Sequence, residues 1–380
     1  MHISFRQLFF TIASLIALFV IMVFAKGVLV PLSLALLLSF ILFPLCRKLE
    51  RWGMSKVPAA FLSIFIMFLI IGGIIFFFST QMLHLSGEFS AFQDKLMALF
   101  TDVVIFINNN VSFVDDVSRG QLLAQTKTWA KQSAGTLLQS TFSSGATFLT
   151  GLLTTVIYTF LFLIYRNGLI NALAKFYSEE HRPRVIQMFR NVQKVGQNYL
   201  SGMLLLIVIL GTANSVGLWI IGIDSPFLFG FLAATLSIIP YIGTTFGAFL
   251  PVLYAFMSHD SLWVPVAVAI LFWSIQLVES NFLSPKVVGS SLKVNALAAI
   301  LSLIAGAMVW GVAGMILFLP FAAMLKVVCE EYVELRPVAM LIGNDISEDN
   351  EAHKKSRSGE WFKKIWRRVK NRSANKSTKQ

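Results

Sequence analysis

Eight stretches of this chain are too long and too apolar to lie against water. A bilayer crossing needs about 20 mostly apolar residues, and 8–25, 28–45, 58–78, 147–165 and 200–222 each meet that length. The stretch 262–278 is a further compact run, while 226–257 and 296–326 exceed one upright crossing and are interrupted by Gly and Pro. A soluble globule would need polar residues to cover such a core. With 56% hydrophobic and 13% charged residues there are too few, since ordinary domains carry about 25% charged. The sequence therefore predicts an all-α polytopic membrane protein of about eight transmembrane segments, two of them broken or re-entrant in the C-terminal half. The first run is no secretory signal. It is long for one, Lys26-Gly27 gives no small-x-small cleavage site, and another apolar run follows at once.

Lys/Arg excess in short loops sets the orientation. Arg47, Lys48, Arg51 and Lys56 assign the second loop to the cytoplasm, and Arg166, Lys175, Arg182, Arg184, Arg190 and Lys194 do the same for 167–198. Eight crossings then leave both termini cytoplasmic, with Lys286 and Lys293 on the outer side. The expected organisation is a three-span region (1–78), an extracytoplasmic helical insert (79–146), a C-terminal transport core (147–344) and a basic cytoplasmic tail (345–380). In the insert, Leu85, Phe89, Phe92, Leu96, Leu99, Val103 and Phe106 recur at helical spacing, as for a helix that caps the bundle or mediates subunit contact. In 167–198, Val185, Met188, Phe189, Val192 and Val195 form one side of an amphipathic helix expected to lie along the membrane surface.

The net charge of +12 is unevenly placed, because 345–380 holds eleven Lys/Arg against five acids. A uniform basic face for nucleic acid is absent. Trp361, Phe362, Ile365, Trp366 and Val369 share a helical face amid basic residues, a pattern that binds anionic lipid; a solvated tail is the alternative. Cys46 and Cys329 lie far apart and imply neither a disulfide framework nor a metal cluster. No nucleophile elbow, phosphate loop, zinc motif or Cys/His array is present, so no enzyme, cofactor or ATP-driven pump is expected.

The candidate site lies in the second half. Pro240-Tyr241-Ile242-Gly243-Thr244-Thr245-Phe246-Gly247 puts proline, glycines and hydroxyls where an apolar span should run unbroken. Such a break frees backbone groups, which survive at membrane depth only when buried in protein or lining a cavity. Gly243-x-x-x-Gly247 is equally a helix-packing pattern. Gly306, Gly311, Gly314 and Pro320 break the last stretch in a similar way, and paired broken segments point to a transporter site. Between the two, Gln276 and Glu279 share a helical face, followed by Asn281. An acid at membrane depth faces a cavity or a partner and could carry protons; alternatively it sits at the interface and pairs with Lys286. Asn214, in mid-span, reads as a helix–helix hydrogen bond.

With these residues in view, the chain resembles the autoinducer-2 exporter family of bacterial inner-membrane permeases. The likeness covers nearly all of 8–335. It rests on Val30-Pro31-Leu32 leading to Pro44, on Leu49-Glu50-Arg51, Pro58-Ala59 and Gly217-Leu218-Trp219, and on Pro240-Tyr241-Ile242-Gly243. Gln276-x-x-Glu279-x-Asn281-x-x-x-Pro285-Lys286-x-x-Gly289 and Gly311-x-x-Gly314-Met315 through Pro320 complete it. Where many members have Leu-His-Pro this chain has Val294-Asn295-Ala296, so no histidine role carries over. The resemblance implies a homo-oligomeric permease that exports a small polar solute, coupled to protons or sodium. A sodium/proton antiporter and a non-transporting membrane scaffold are the alternatives. The expected site comprises Pro240, Tyr241, Gly243, Thr244, Gly247, Gln276, Glu279, Asn281, Gly311 and Gly314.

Overall fold

The computed structural model describes residues 5–86, 119–239, 242–259, 261–289 and 294–343. The helical pattern in 87–106, the basic tail, Pro240, Tyr241 and Lys293 lie outside those residues. Among the described residues the chain is helical, apart from turns and one isolated bridge between Val294 and Gly343. In chain order come α1 (Phe5–Phe24), α2 (Lys26–Arg51), α3 (Lys56–Ser86), α4 (Arg119–Ala174), α5 (Arg182–Ile221), α6 (Pro226–Leu236), α7 (Ile242–Ser258) and α8 (Trp263–Val278). Then follow α9 (Ala296–Trp310), α10 (Val312–Glu331) and α11 (Arg336–Ile342). Among the described residues six helical stretches are long and apolar enough to cross a membrane: Lys26–Arg51, Lys56–Met82, Thr147–Ala174, Arg182–Ile221, Trp263–Val287 and Val312–Glu331. Large apolar side chains such as Phe61, Phe76, Trp219, Ile220 and Trp263 face outward, which is stable only against lipid. The protein is an all-α integral membrane protein.

Both interrupted stretches fold back on themselves as helical hairpins. At the first, Gly222 takes φ 90° and its N–H donates to the carbonyls of Leu218 and Trp219, which ends α5; Pro226 then starts α6. With 11 and 17 residues, α6 and α7 are each shorter than the 20 or so needed to cross. They run antiparallel. Tyr254 lies against Phe229 with ring centroids 4.8 Å apart, while Gly247 approaches Ala233 and Gly243 approaches the Leu236 carbonyl nearer the tip. The second hairpin, α9 and α10, turns at Gly311, whose φ of 62° suits glycine. Gly306 and Gly314 then meet backbone to backbone.

Connectivity sets the two hairpins head to tail. The base of the first joins the start of α8, and the base of the second joins its far end, so their tips point in opposite directions. One consequence corrects the expectation for Lys286. Because 226–258 reverses instead of crossing, α8 ends beside Gly202 near the basic loop, with Val287 against that glycine. Lys286 thus lies towards the Lys194 side of α5 and away from its Gly222 end.

A second correction concerns 182–198. The amphipathic pattern is there, but the helix runs without a break into the membrane-length part of α5. Its apolar side has a protein partner in place of lipid: Val185 and Met188 are buried with Ala174 and pack on Val328 and Tyr332, and Val192 and Val195 pack beside Leu37, Leu317 and Met324. Arg184 pairs with Glu331 at this end. Asn295 closes the base of the second hairpin. Its side chain accepts from the Ala298 N–H at 2.8 Å, capping α9, and donates to the carbonyls of Leu341 (2.6 Å) and Gly343 (2.9 Å).

The N-terminal half is knit by Leu42, Cys46, Leu49, Ala59, Ala60, Ile64 and Leu163 on α2, α3 and α4. At its edge Arg166 donates to Glu50 at 2.5 Å and to the Leu163 carbonyl at 3.0 Å, and stacks on Phe43. Only 15% and 19% of the two charged side chains is exposed. Arg166→Met strands the Glu50 charge, and the expected loss is about 1–3 kcal/mol, below the value for a fully buried pair. Thermal unfolding in detergent measures it, and adding Glu50→Leu should restore part of the loss.

Candidate functional site

The tip of the first hairpin meets α5 and α8 near a break in α8. Beyond Val278 the helix widens into two π-helical turns, Glu279–Leu283 and Pro285–Gly289. Pro285 supplies no N–H for the ladder. The carbonyls freed by widening are taken up locally, since the Asn281 amide donates to the Leu277 carbonyl at 2.8 Å and Ser280 Oγ reaches the same carbonyl at 3.3 Å. Widened turns of this kind recur at functional sites because they re-aim side chains without ending the helix.

A small void of about 20 Å³ lies where these elements meet. That is room for one water or one ion of similar size. Its apolar walls are Leu210, Ala233, Ala234, Ala248, Phe272 and Ile275. The polar groups are Asn214 from α5, Ser237 and Thr244 from the first hairpin, and Gln276 and Glu279 from α8. Glu279 is half-buried, with the Gln276 side chain in hydrogen-bond contact with its carboxylate. Ser237 Oγ donates to the Ala234 carbonyl at 2.7 Å.

Asn214, read from the sequence as a helix–helix hydrogen-bonding residue, lines the void. It is 5% exposed, and its Oδ1 has no hydrogen-bond partner among the described residues. A buried amide oxygen left unpaired costs about 1–3 kcal/mol. The expected helix–helix hydrogen bond is therefore not made by this oxygen, which instead belongs to a residue lining the void. A mid-span polar side chain was the available signal; its partner could not be read from the chain.

The predicted residues that the structure describes divide into three groups. Thr244, Gln276 and Glu279 come together at the void. Gly243 and Gly247 sit at the α6–α7 seam, where they permit close approach and bring Thr244 to the void. Asn281, Gly311 and Gly314 do not line it: Asn281 is exposed and serves the π turn, and the two glycines build the second hairpin. That hairpin still reaches the neighbourhood, because Leu319 of α10 packs on the cluster of Tyr199, Leu206, Leu210 and Ala234. No group of three or more metal-ligating side chains occurs among the described residues.

Comparison with known proteins agrees with this architecture. A family model described as AI-2E family transporter matches residues 12–334. A candidate transport protein of Bacillus subtilis (strain 168), YueF, is 28% identical over 80% of this chain and 84% of its own length. The AI-2 transport protein TqsA of Escherichia coli (strain K12) is 24% identical over 84% of this chain and 91% of its own. Another Bacillus subtilis candidate transport protein, YrrI, is 35% identical over 41% of this chain and 43% of its own length. With the family model spanning both hairpins, the π-helical break and the void between them, this chain belongs to the AI-2E family of membrane transport proteins.

Proposed function

We propose that the protein is a secondary transporter of the cytoplasmic membrane that exports a small polar solute, and that the site around Asn214, Gln276 and Glu279 binds the coupling cation. The observation that carries this reading is the unpaired Asn214 oxygen beside a half-buried carboxylate. Two oxygens of different elements, one of them charged, suit a proton or a monovalent hard cation, which takes oxygen ligands. The hairpin tip supplies Thr244, and Pro240 and Tyr241 belong to the same tip by sequence.

The size of the void favours a second reading. About 20 Å³ admits an ion and excludes a polyhydroxylated solute, so a sodium/proton antiporter, whose substrate is the cation itself, fits this conformation equally well. Both readings assign the same site to the cation.

Reconstituted protein with separately imposed pH and sodium gradients tests them. On the exporter reading a labelled polar solute moves out when either gradient is applied, and sodium alone leaves the pH gradient intact. On the antiporter reading sodium collapses the pH gradient and no solute is needed. If neither gradient drives any flux from well-folded protein, the proposal fails and the scaffold alternative stands.

A further inference from the structure

A second concave surface, separate from the void, lies at the basic end of the bundle. A cleft of about 540 Å³ opens between α2, α4 and α5, and shares no lining residue with the void. Its charged residues are Arg47, Arg166, Arg190, Lys194 and Glu50, four cations against one acid. Glu50 is already engaged by Arg166. Among the described residues Arg47, Arg190 and Lys194 have no acid within ion-pair distance.

Local structure explains how these groups converge. On α5, Arg190, Gln193, Lys194 and Gln197 fall at i, i+3, i+4 and i+7, one continuous stripe. The neighbouring face, with Val185, Met188, Val192 and Val195, is committed to packing, which turns the stripe towards the cleft. Like charges held around a concave wall repel each other and focus a positive potential, so an anion entering the cleft lowers the energy of all of them. Arginine forks and amide donors match an oxyanion with several acceptor oxygens.

We propose that this cleft is an anion site that takes a phosphate group. Three cations free of acidic partners call for more than a single negative charge or for an oxyanion broad enough to touch several donors, and phosphate meets both conditions. The phosphate has two sources: the headgroup of an anionic lipid, entering at the membrane edge past Phe43 and Ile170, or a soluble phosphorylated solute. This inference does not depend on the transport reading.

The test uses the purified full-length protein in two arms. In one, protein from nanodiscs of phosphatidylcholine with or without phosphatidylglycerol is examined by native mass spectrometry for retained lipid. In the other, inorganic phosphate and glycerol 3-phosphate are titrated calorimetrically in detergent. Arg190→Gln/Lys194→Gln should weaken whichever probe binds by roughly tenfold or more, because each lost contact is charge-assisted. A control pair that does not line the cleft, Lys56→Gln/Lys175→Gln, should leave that binding unchanged. Loss in the lipid arm alone identifies the headgroup, and loss in the titration alone identifies a soluble ligand. Binding by neither probe, or equal weakening by both pairs, overturns the proposal. The exchanged side chains are exposed; if the double variant does not elute as folded protein, Lys194→Gln alone is read the same way.

Discussion

Glu279→Gln lowers gradient-driven flux in proteoliposomes by about 30-fold or more, the equivalent of the 2–5 kcal/mol by which removing one member of a buried charged pair weakens binding. Glutamine keeps the shape of the side chain, so packing against Phe272 and Ile275 and the contact with Gln276 are retained. What disappears is the charge, and among the described residues Glu279 is the only acid lining the void. The neighbouring Asn214 oxygen, Ser237 and Thr244 are neutral and cannot offset a cation's charge in a site partly walled by apolar side chains. Flux through the glutamine variant should also lose its dependence on the imposed gradient, whereas Glu279→Asp, shorter by one methylene, keeps the dependence at a reduced rate. Full coupled transport by a normally assembled Glu279→Gln protein would remove Glu279 from the mechanism. Unlike Arg166→Met, this variant should melt at the temperature of the parent.

Much of this architecture could be read from the chain because bilayer physics leaves few options. Apolar length gives the spans, and Gly and Pro inside an apolar stretch mark where a helix must turn. The signal in the first stretch was Pro240 with Gly243 and Gly247, and in the second Gly306, Gly311, Gly314 and Pro320; the structure places the second turn at Gly311, where φ is positive. Periodicity did not say what the apolar side of 182–198 faces, since lipid and a protein helix demand the same pattern; the folded chain answers with Val328 and Tyr332. Counting 226–257 as one crossing put Lys286 at the wrong end, an error of parity that the hairpin removes. The π turns had only Pro285 as a sign, and an extra residue in a helical turn leaves no periodic trace in so apolar a segment. The place of Asn214 at the void was hidden for a deeper reason. Whether a buried amide is satisfied depends on what three other elements bring to it, and its oxygen is orphaned by packing that no local pattern records.

Gly314→Val should be severely disruptive for stability. A Cβ on Gly314 would overlap the carbonyl of Gly306, and a Cβ on Gly306 would overlap that of Gly314, so the contact is backbone to backbone from both sides. No rotamer relieves such a clash; the helices must separate. Separation unpacks α10 from α9 along the hairpin, at a cost of more than about 3 kcal/mol, the upper range for overpacking that side-chain movement does absorb. The expected result is loss of the monodisperse peak in gel filtration and of the unfolding transition, with Gly314→Ala intermediate. Gly72 of α3 is the control, because nothing lies within 4 Å of a Cβ built there. Gly72→Ala should change stability by less than about 1 kcal/mol, the propensity difference alone. A Gly314→Val protein with the parent's melting temperature would mean that α9 and α10 are not seated as described. The two variants also separate architecture from chemistry. Leu319, on the same helix as Gly314, packs on the cluster beside the void, so opening the second hairpin removes flux together with the fold, whereas Glu279→Gln removes flux from a protein that remains folded.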